Sequence, residues 1–295
     1  MTSGRRILGL LLWTYHQLVK GGRLVAAVLL AWAMTAACDR PPAPGPVQPV
    51  PAGGISLPPV AGRVDYQLGG TYPPPVGVVT VTRDREAPPA AGLYGICYVN
   101  AFQTQPQETV WWQAHHPDLL LRDARGPVSD PGWPGEVLLD PRTAQKRAAV
   151  ASVVGGWVDG CAARGYRAVE PDNLDSWTRS HGLITRDQAV AFARLLTARG
   201  HRDHLAVAQK NTAELAPRGR AVGFDFAVAE ECQVFNECDA YTAAYGTHVI
   251  EVEYTDNGRD AFATACRVRH GRVSIVLRDR QLTPAGSPAY AYAAC

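Results

Sequence analysis

The chain has 295 residues, of which 46% are hydrophobic and 19% charged, and its formal net charge is +2. That length exceeds a small disulfide-stapled module and suits one large α/β domain with a leader. Near-neutral charge excludes the basic footprint of a nucleic-acid binder, so no nucleic acid is expected as partner.

The first forty residues are a different material. Lys20 and Arg23 precede an apolar run over residues 24–34, followed by Thr35, Ala36, Ala37 and Cys38. A positive flank, a short apolar stretch and small residues read as an export signal over residues 1–38. The run is too short for a permanent membrane span. Small residues ending in Cys resemble a bacterial lipoprotein signal, which makes Cys38 the lipidation candidate; ordinary cleavage and an uncleaved anchor are the alternatives. Residues 39–62 carry eight prolines and read as an extended Pro-rich linker. The expected protein is exported, monomeric, and joined to a membrane only through an N-terminal lipid.

Seven cysteines are present, six of them after Cys38. An even number in an exported chain favours disulfides, with fifteen possible connectivities. Cys232 and Cys238 are close in sequence and form the first expected pair. Cys266 with Cys295 ties down the C-terminal residues, and Cys97 with Cys161 is then left over. No CxxC pair exists and no His sits at ligand spacing, so neither a metal nor another cofactor is expected.

From residue 64 the sequence alternates strand-like and helix-like segments. Apolar, β-branched runs over 77–82, 94–99, 137–139, 166–169, 205–208, 224–228, 248–252 and 273–277 give eight candidate strands, with 64–68 as an additional one. Val150, Val154, Trp157 and Cys161 recur at helical spacing. Thr185 and Gln188 make a capping box leading into Ala189, Phe192, Ala193 and Leu196, and Gly200 closes that segment. Residues 83–92 are too short and Pro-rich for a helix and predict an irregular connection. Strand–helix alternation implies parallel strands with right-handed crossovers, and eight of them favour a closed (β/α)8 TIM barrel as a single domain over residues 63–295.

In such a barrel the active site lies at the C-terminal strand ends. The runs end in Asp84, Asn100, Asp140, Glu170-Pro171-Asp172-Asn173 with Asp175 beyond, Gln209-Lys210-Asn211, Glu230-Glu231, Glu253-Tyr254 and Asp279. A charged residue after one strand is ordinary. Converging carboxylates are not, because crowded like charges repel. Such a ring suits divalent-metal binding or hydrolysis through an oxocarbenium-like transition state.

The stretch Val169-Glu170-Pro171-Asp172-Asn173-Leu174-Asp175 resembles glycoside hydrolase family 114, the endo-α-1,4-polygalactosaminidases. Ile96-Cys97-Tyr98, Trp133-Pro134-Gly135-Glu136 with Leu139-Asp140, Lys210-Asn211, the run from Phe224 to Cys232, and Val252-Glu253-Tyr254 agree in order, over roughly residues 64–280. Ala229 stands where the family usually has Asn. The resemblance implies a (β/α)8 barrel that cuts α-1,4-linked galactosamine polymers internally, a galactosamine-rich polysaccharide being the partner. It maps the catalytic acids onto Asp172, as nucleophile, and Glu230, as general acid/base of a retaining hydrolase, with the reverse assignment open. Substrate contacts are expected from Asp140, Glu170, Asn173, Asp175, Lys210, Glu231 and Glu253, and sugar stacking from Trp133, Trp177 and Tyr254. A non-catalytic glycan-binding lipoprotein on the same barrel is the alternative, and a metal-dependent hydrolase a third.

Overall fold

The computed structural model describes residues 54–295; the expected signal over 1–38, Cys38 and most of the Pro-rich linker lie outside them. Strands β1 (Arg63–Gln67), β2 (Val78–Asp84) and β3 (Tyr94–Asn100) run parallel with no helix between them. Residues 85–93 form the irregular connection that their prolines demand. The chain then leaves the sheet for an excursion that holds α1 (Thr109–His115) and the small hairpin of β4 (Arg122–Asp123) and β5 (Gly126–Pro127). It returns through α2 (Ala144–Ala163) to β6 (Ala168–Asp172), which pairs directly with β3. From there the alternation is regular: α3 (Arg186–Arg202), β7 (Ala206–Lys210), α4 (Ala216–Val222), β8 (Phe226–Glu230), α5 (Cys238–Tyr245), β9 (Val249–Tyr254), α6 (Asp260–Arg269) and β10 (Ser274–Arg278). A final strand, β11 (Tyr292–Ala294), lies antiparallel to β10.

The architecture is the expected TIM barrel, with one strand exchanged. Residues 137–139 make only isolated antiparallel bridges, to Gln103, Leu120 and Ser129 inside the excursion. Their apolar character is satisfied there by burial, which a three-residue run cannot distinguish from membership of the barrel. The eighth barrel strand is β1, the additional run noted at 64–68.

Period-two alternation sorts the strand residues into two cores. Val64, Ile96, Ala168, Ala206, Phe226 and Val252 fill the barrel interior. Cys97, Val169, Val207, Ala227 and Ile275 face the helices. The capping box is formed as expected: Thr185 Oγ1 accepts the Gln188 N–H, and Gln188 Oε1 accepts the Thr185 N–H. Gly200 lies inside α3 rather than closing it. A Cβ there would come within 2.6 Å of Val207 Cγ2, so the glycine permits close contact between α3 and β7.

β1 and β10 approach each other without a hydrogen-bonded ladder. Arg278, wholly buried, spans this seam. Its Nη1 donates to Asp65 Oδ1 at 2.9 Å and to the Tyr66 carbonyl, while Nε donates to the Ala291 carbonyl at 3.0 Å. Tyr292 of β11 donates to the Val64 carbonyl at 3.2 Å, so β11 ties β10 across to β1. Three disulfides join Cys97–Cys161, Cys232–Cys238 and Cys266–Cys295, the expected pairing. The first links β3 to α2, and the last links α6 to the segment that carries β11.

The last residues of the Pro-rich stretch belong to the packed domain. Ile55 and Leu57 lie against the interior cluster, and the Tyr94 hydroxyl donates to the Ser56 carbonyl at 2.6 Å, which covers the base of the barrel. Among the described residues no helix is long and apolar enough to cross a membrane.

Removing the seam arginine leaves the Asp65 carboxylate buried without its cation. Arg278→Met is expected to lower unfolding free energy by about 3–5 kcal/mol, read from urea denaturation. A loss below about 1 kcal/mol would mean that the seam is held by β11 alone.

Candidate active site

Four consecutive barrel strands end in a polar side chain that lines one cavity: β6 in Asp172, β7 in Lys210, β8 in Glu230 and β9 in Tyr254. After the first three the chain turns sharply through a left-handed residue, Asn173 (φ 64°), Asn211 (φ 48°) and Glu231 (φ 58°). Asn tolerates that conformation; Glu rarely adopts it, and such outliers concentrate at functional sites. The turns also supply polar contacts. The Asn173 N–H donates to Asp172 Oδ1 at 2.7 Å, and Asn211 Oδ1 accepts the Glu230 N–H at 2.8 Å.

Lys210 occupies the centre, 2% exposed. Its Nζ lies 3.1 Å from Glu170 Oε1, 3.5 Å from Asp172 Oδ1 and 3.2 Å from Glu230 Oε2, and donates to the Tyr66 hydroxyl at 2.9 Å. Tyr66 in turn donates to Glu170. Tyr98 donates to Asp172 Oδ2 at 2.7 Å, Asn211 Nδ2 donates to Glu230 Oε2 at 3.0 Å, and Tyr254 bonds Glu230 Oε1.

One cation among three carboxylates governs the protonation of the group. Burial alone would strip the proton from Lys210, but Asp172, Glu230 and Glu170 hold its pKa well above the ordinary value. Burial likewise disfavours the Asp172 carboxylate, yet the Lys210 ammonium and the Tyr98 hydroxyl outweigh it and keep the pKa below the usual range. Glu170 lies deeper. Burial pushes it up to about 7 against the pull of Lys210. Tyr66, Tyr98 and Tyr254 are raised by burial and by the neighbouring carboxylates, so they remain neutral donors.

Above this group opens a cavity of about 330 Å³. Asp172, Asn173, Asp175, Lys210, Glu230, Tyr254 and Trp133 all border it, as their place in the sequence predicts. Glu170 lies directly beneath, wholly buried. Glu231 faces an adjoining pocket and pairs with Arg280 at 2.6 Å.

Four expected contacts are corrected, the first being Glu170, which is wholly buried outside the cavity lining and cannot touch a substrate. Asp140 is buried at the start of α2, engaged by Arg142 at 2.8 Å and Lys146 at 2.5 Å; residues 137–139 are not a barrel strand, so their end is not at the mouth. Glu253 points outward because its neighbour Tyr254 points inward. It accepts the Gln233 N–H at 3.0 Å behind the barrel wall. Trp177 packs on the outer core rather than the cavity.

Tyr98, Tyr66, Asn211, Glu136 and Arg179 were not selected from sequence. Period-two spacing back from Asn100 marks Tyr98 on the inner face. Asn211 was visible as a strand end. Glu136 caps the far wall, accepting from Asn100 Nδ2 at 2.9 Å and Gln103 Nε2 at 2.6 Å. Arg179 pairs with Asp175 at 2.8 Å. Tyr66 carried no signal until β1 was known as a barrel strand.

A TIM barrel with carboxylates converging on an open polar cavity at its C-terminal mouth has the layout of a glycoside hydrolase. The chain belongs to glycoside-hydrolase family GH114, whose model matches residues 46–295. Its fold is similar to that of Aspergillus fumigatus Ega3, solved in complex with galactosamine, at 20% identity and a TM-score of 0.64, covering 82% of this chain and 98% of that one. It is also similar to the glycoside hydrolase domain of PelA from Pseudomonas aeruginosa, at 16% identity and a TM-score of 0.52, covering 76% and 97%. No curated protein sequence matches the chain.

Glu170 makes stability depend on pH in a defined window. Its carboxyl titrates at about 7 when folded and at 4.5 in the ordinary state. The unfolded chain therefore loses this proton first, and folding stability falls as pH rises through that interval and is flat above it. Relative to wild type, Glu170→Gln should gain about 3 kcal/mol between pH 4.5 and 7, measured by chemical denaturation at each pH. A pH-independent difference would refute the assignment.

Proposed function

We propose that this chain hydrolyses α-1,4-linked galactosamine polymers at internal bonds, with Asp172 as nucleophile and Glu230 as general acid/base. The observation that carries the reading is the single ammonium of Lys210 shared between the two carboxylates at the cavity floor. Each lies one contact from the same nitrogen, so the two oxygens are held within two contact lengths of each other. That limit of about 7 Å admits the retaining separation of roughly 5–5.5 Å and leaves out most of the inverting range of roughly 6.5–9.5 Å.

The roles follow from the hydrogen bonds. Every partner of Asp172 donates: Lys210, the Tyr98 hydroxyl and the Asn173 N–H. Asp172 stays ionised and can attack the anomeric carbon. Because Lys210 and Tyr98 outweigh burial and hold Asp172 below the usual carboxylate range, Glu230 is left to carry the proton on Oε1, with the Tyr254 hydroxyl beside it, and to pass it to the leaving oxygen. After the glycosyl–enzyme ester forms, Glu230 takes a proton from water, which displaces Asp172 and releases the sugar. An open, acidic mouth suits a long cationic glycan entering along its length. The similarity of the fold to a protein solved with galactosamine supports that substrate class.

The reading includes export. Three disulfides favour an oxidising compartment, and the signal-like residues 1–38 with a lipid on Cys38 would hold the domain at a surface.

The experiment offers de-N-acetylated α-1,4-galactosamine oligomers to the purified domain. Wild type should release internal fragments, and Asp172→Asn or Glu230→Gln should lower kcat/KM by about 10³ or more. No cleavage by wild type across related glycans would overturn the reading, and full activity in either variant would overturn its residue assignment. A second measurement tests the shared cation. Lys210→Met removes the charge that keeps Asp172 ionised, so the acidic limb of the pH–rate profile should move to higher pH by about one unit or more.

A further inference from the structure

We infer that the cleft is chemically two-sided, with an arm beside Glu230 that takes a sugar bearing a free ammonium and an opposite arm that takes one bearing an acetamido group. This deepens the hydrolase reading and rests on it.

The first arm is a pocket of about 250 Å³ that shares Asp175, Asn211 and Glu230 with the central cavity. Its outer wall carries Glu214, from the turn after β7, and Glu237, just before α5. Asp175 and Glu231 have arginine partners, whereas among the described residues Glu214 and Glu237 have no ion-pair partner. Glu237 is raised by burial and then by the charge of Glu214, so the two carboxylates repel each other across the pocket. Beneath them Tyr241 is completely buried, and its hydroxyl makes no well-formed hydrogen bond among the described residues. Burial raises the pKa of that hydroxyl, and the charges of Glu237, Glu214 and Asp175, all in the wall of this pocket, raise it further. Phe235, 64% exposed, adds an apolar plate at the rim. A cation relieves the repulsion, and a sugar ring covers the aromatic face.

The second arm, about 310 Å³, lies on the side of β1 to β3 and has a different chemistry. Asn100, Gln105, Gln107 and Gln281 line it with primary amides, and Trp133 stands 54% exposed at its edge. Its carboxylates are already engaged by amide donors, Asp84 by Gln105 at 2.7 Å and Glu136 by Asn100 at 2.9 Å. Arg280 borders the same space with its guanidinium engaged by Glu231 and Asp256, so it offers no free charge to a ligand. An acetamido group matches this lining, with one donor, one acceptor and a methyl group for the indole.

Glu230 fixes the direction. As general acid it protonates the leaving oxygen, so the acidic arm it borders holds the leaving portion of the polymer. Tyr98, the partner of Asp172, borders the amide arm, which holds the portion retained on the enzyme.

The test uses defined, partly N-acetylated α-1,4-galactosamine oligomers, with both new ends of each product identified by mass spectrometry. New non-reducing ends should be almost entirely galactosamine, while new reducing ends should carry N-acetylgalactosamine freely. In the Glu214→Gln/Glu237→Gln double variant, with folding verified by circular dichroism, the bias at the non-reducing end should fall about fivefold or more. Cleavage with equal acetylation at both ends, an amine preference at the reducing end, or an unchanged bias in the double variant overturns the inference and leaves the hydrolase reading standing. Failure to cleave any oligomer, the fully de-N-acetylated ones included, overturns both.

Discussion

One ammonium buried among three carboxylates is the interaction on which the rest of the site depends. Lys210 comes from the end of β7, between the strands that carry Asp172 and Glu230, and reaches inward where burial would otherwise neutralise all four groups. Without that cation the two upper carboxylates would repel each other and take up protons. With it, Asp172 is held ionised at the cavity floor despite its partial burial. The tyrosines around the group keep their protons and donate to one oxygen of each carboxylate, while Glu170 Oε2 is left buried without a partner among the described residues.

The barrel serves this cluster by geometry. Parallel strands deliver neighbouring side chains at one height, and the left-handed residues just beyond them end each strand abruptly. The excursion after β3 folds a wall of Trp133, Glu136 and Asp130 over one flank of the mouth. The shorter turns after β7 and β8 form the other flank. The two sides of the cleft therefore come from unrelated parts of the sequence and are free to differ in chemistry.

Much of this was legible in the residue order. The capping box at Thr185, the strand–helix alternation after residue 166 and the strand-end residues Asp172, Lys210 and Glu230 all follow from local patterns, and the structure has them where those patterns lead. The failures have one physical origin. A strand's inner face can be read only when its register is known, and register is a property of the assembled sheet. Asp140 was misplaced because an apolar run of three residues satisfies a side excursion as well as a barrel. Glu253 was misplaced by one residue of phase, since Tyr254 and not Glu253 points inward. Tyr66 was missed because β1 looked superfluous. Charge pairing was equally invisible: nothing in the chain order reveals that Arg142 and Lys146 neutralise Asp140 while Glu214 and Glu237 lack such partners among the described residues.

Ile55 and Leu57 pack under the barrel. These residues lie by the first residue of β3, at the end of the barrel opposite the mouth. They cover the apolar interior at that end and leave the polar cavity at the mouth as the open end of the barrel.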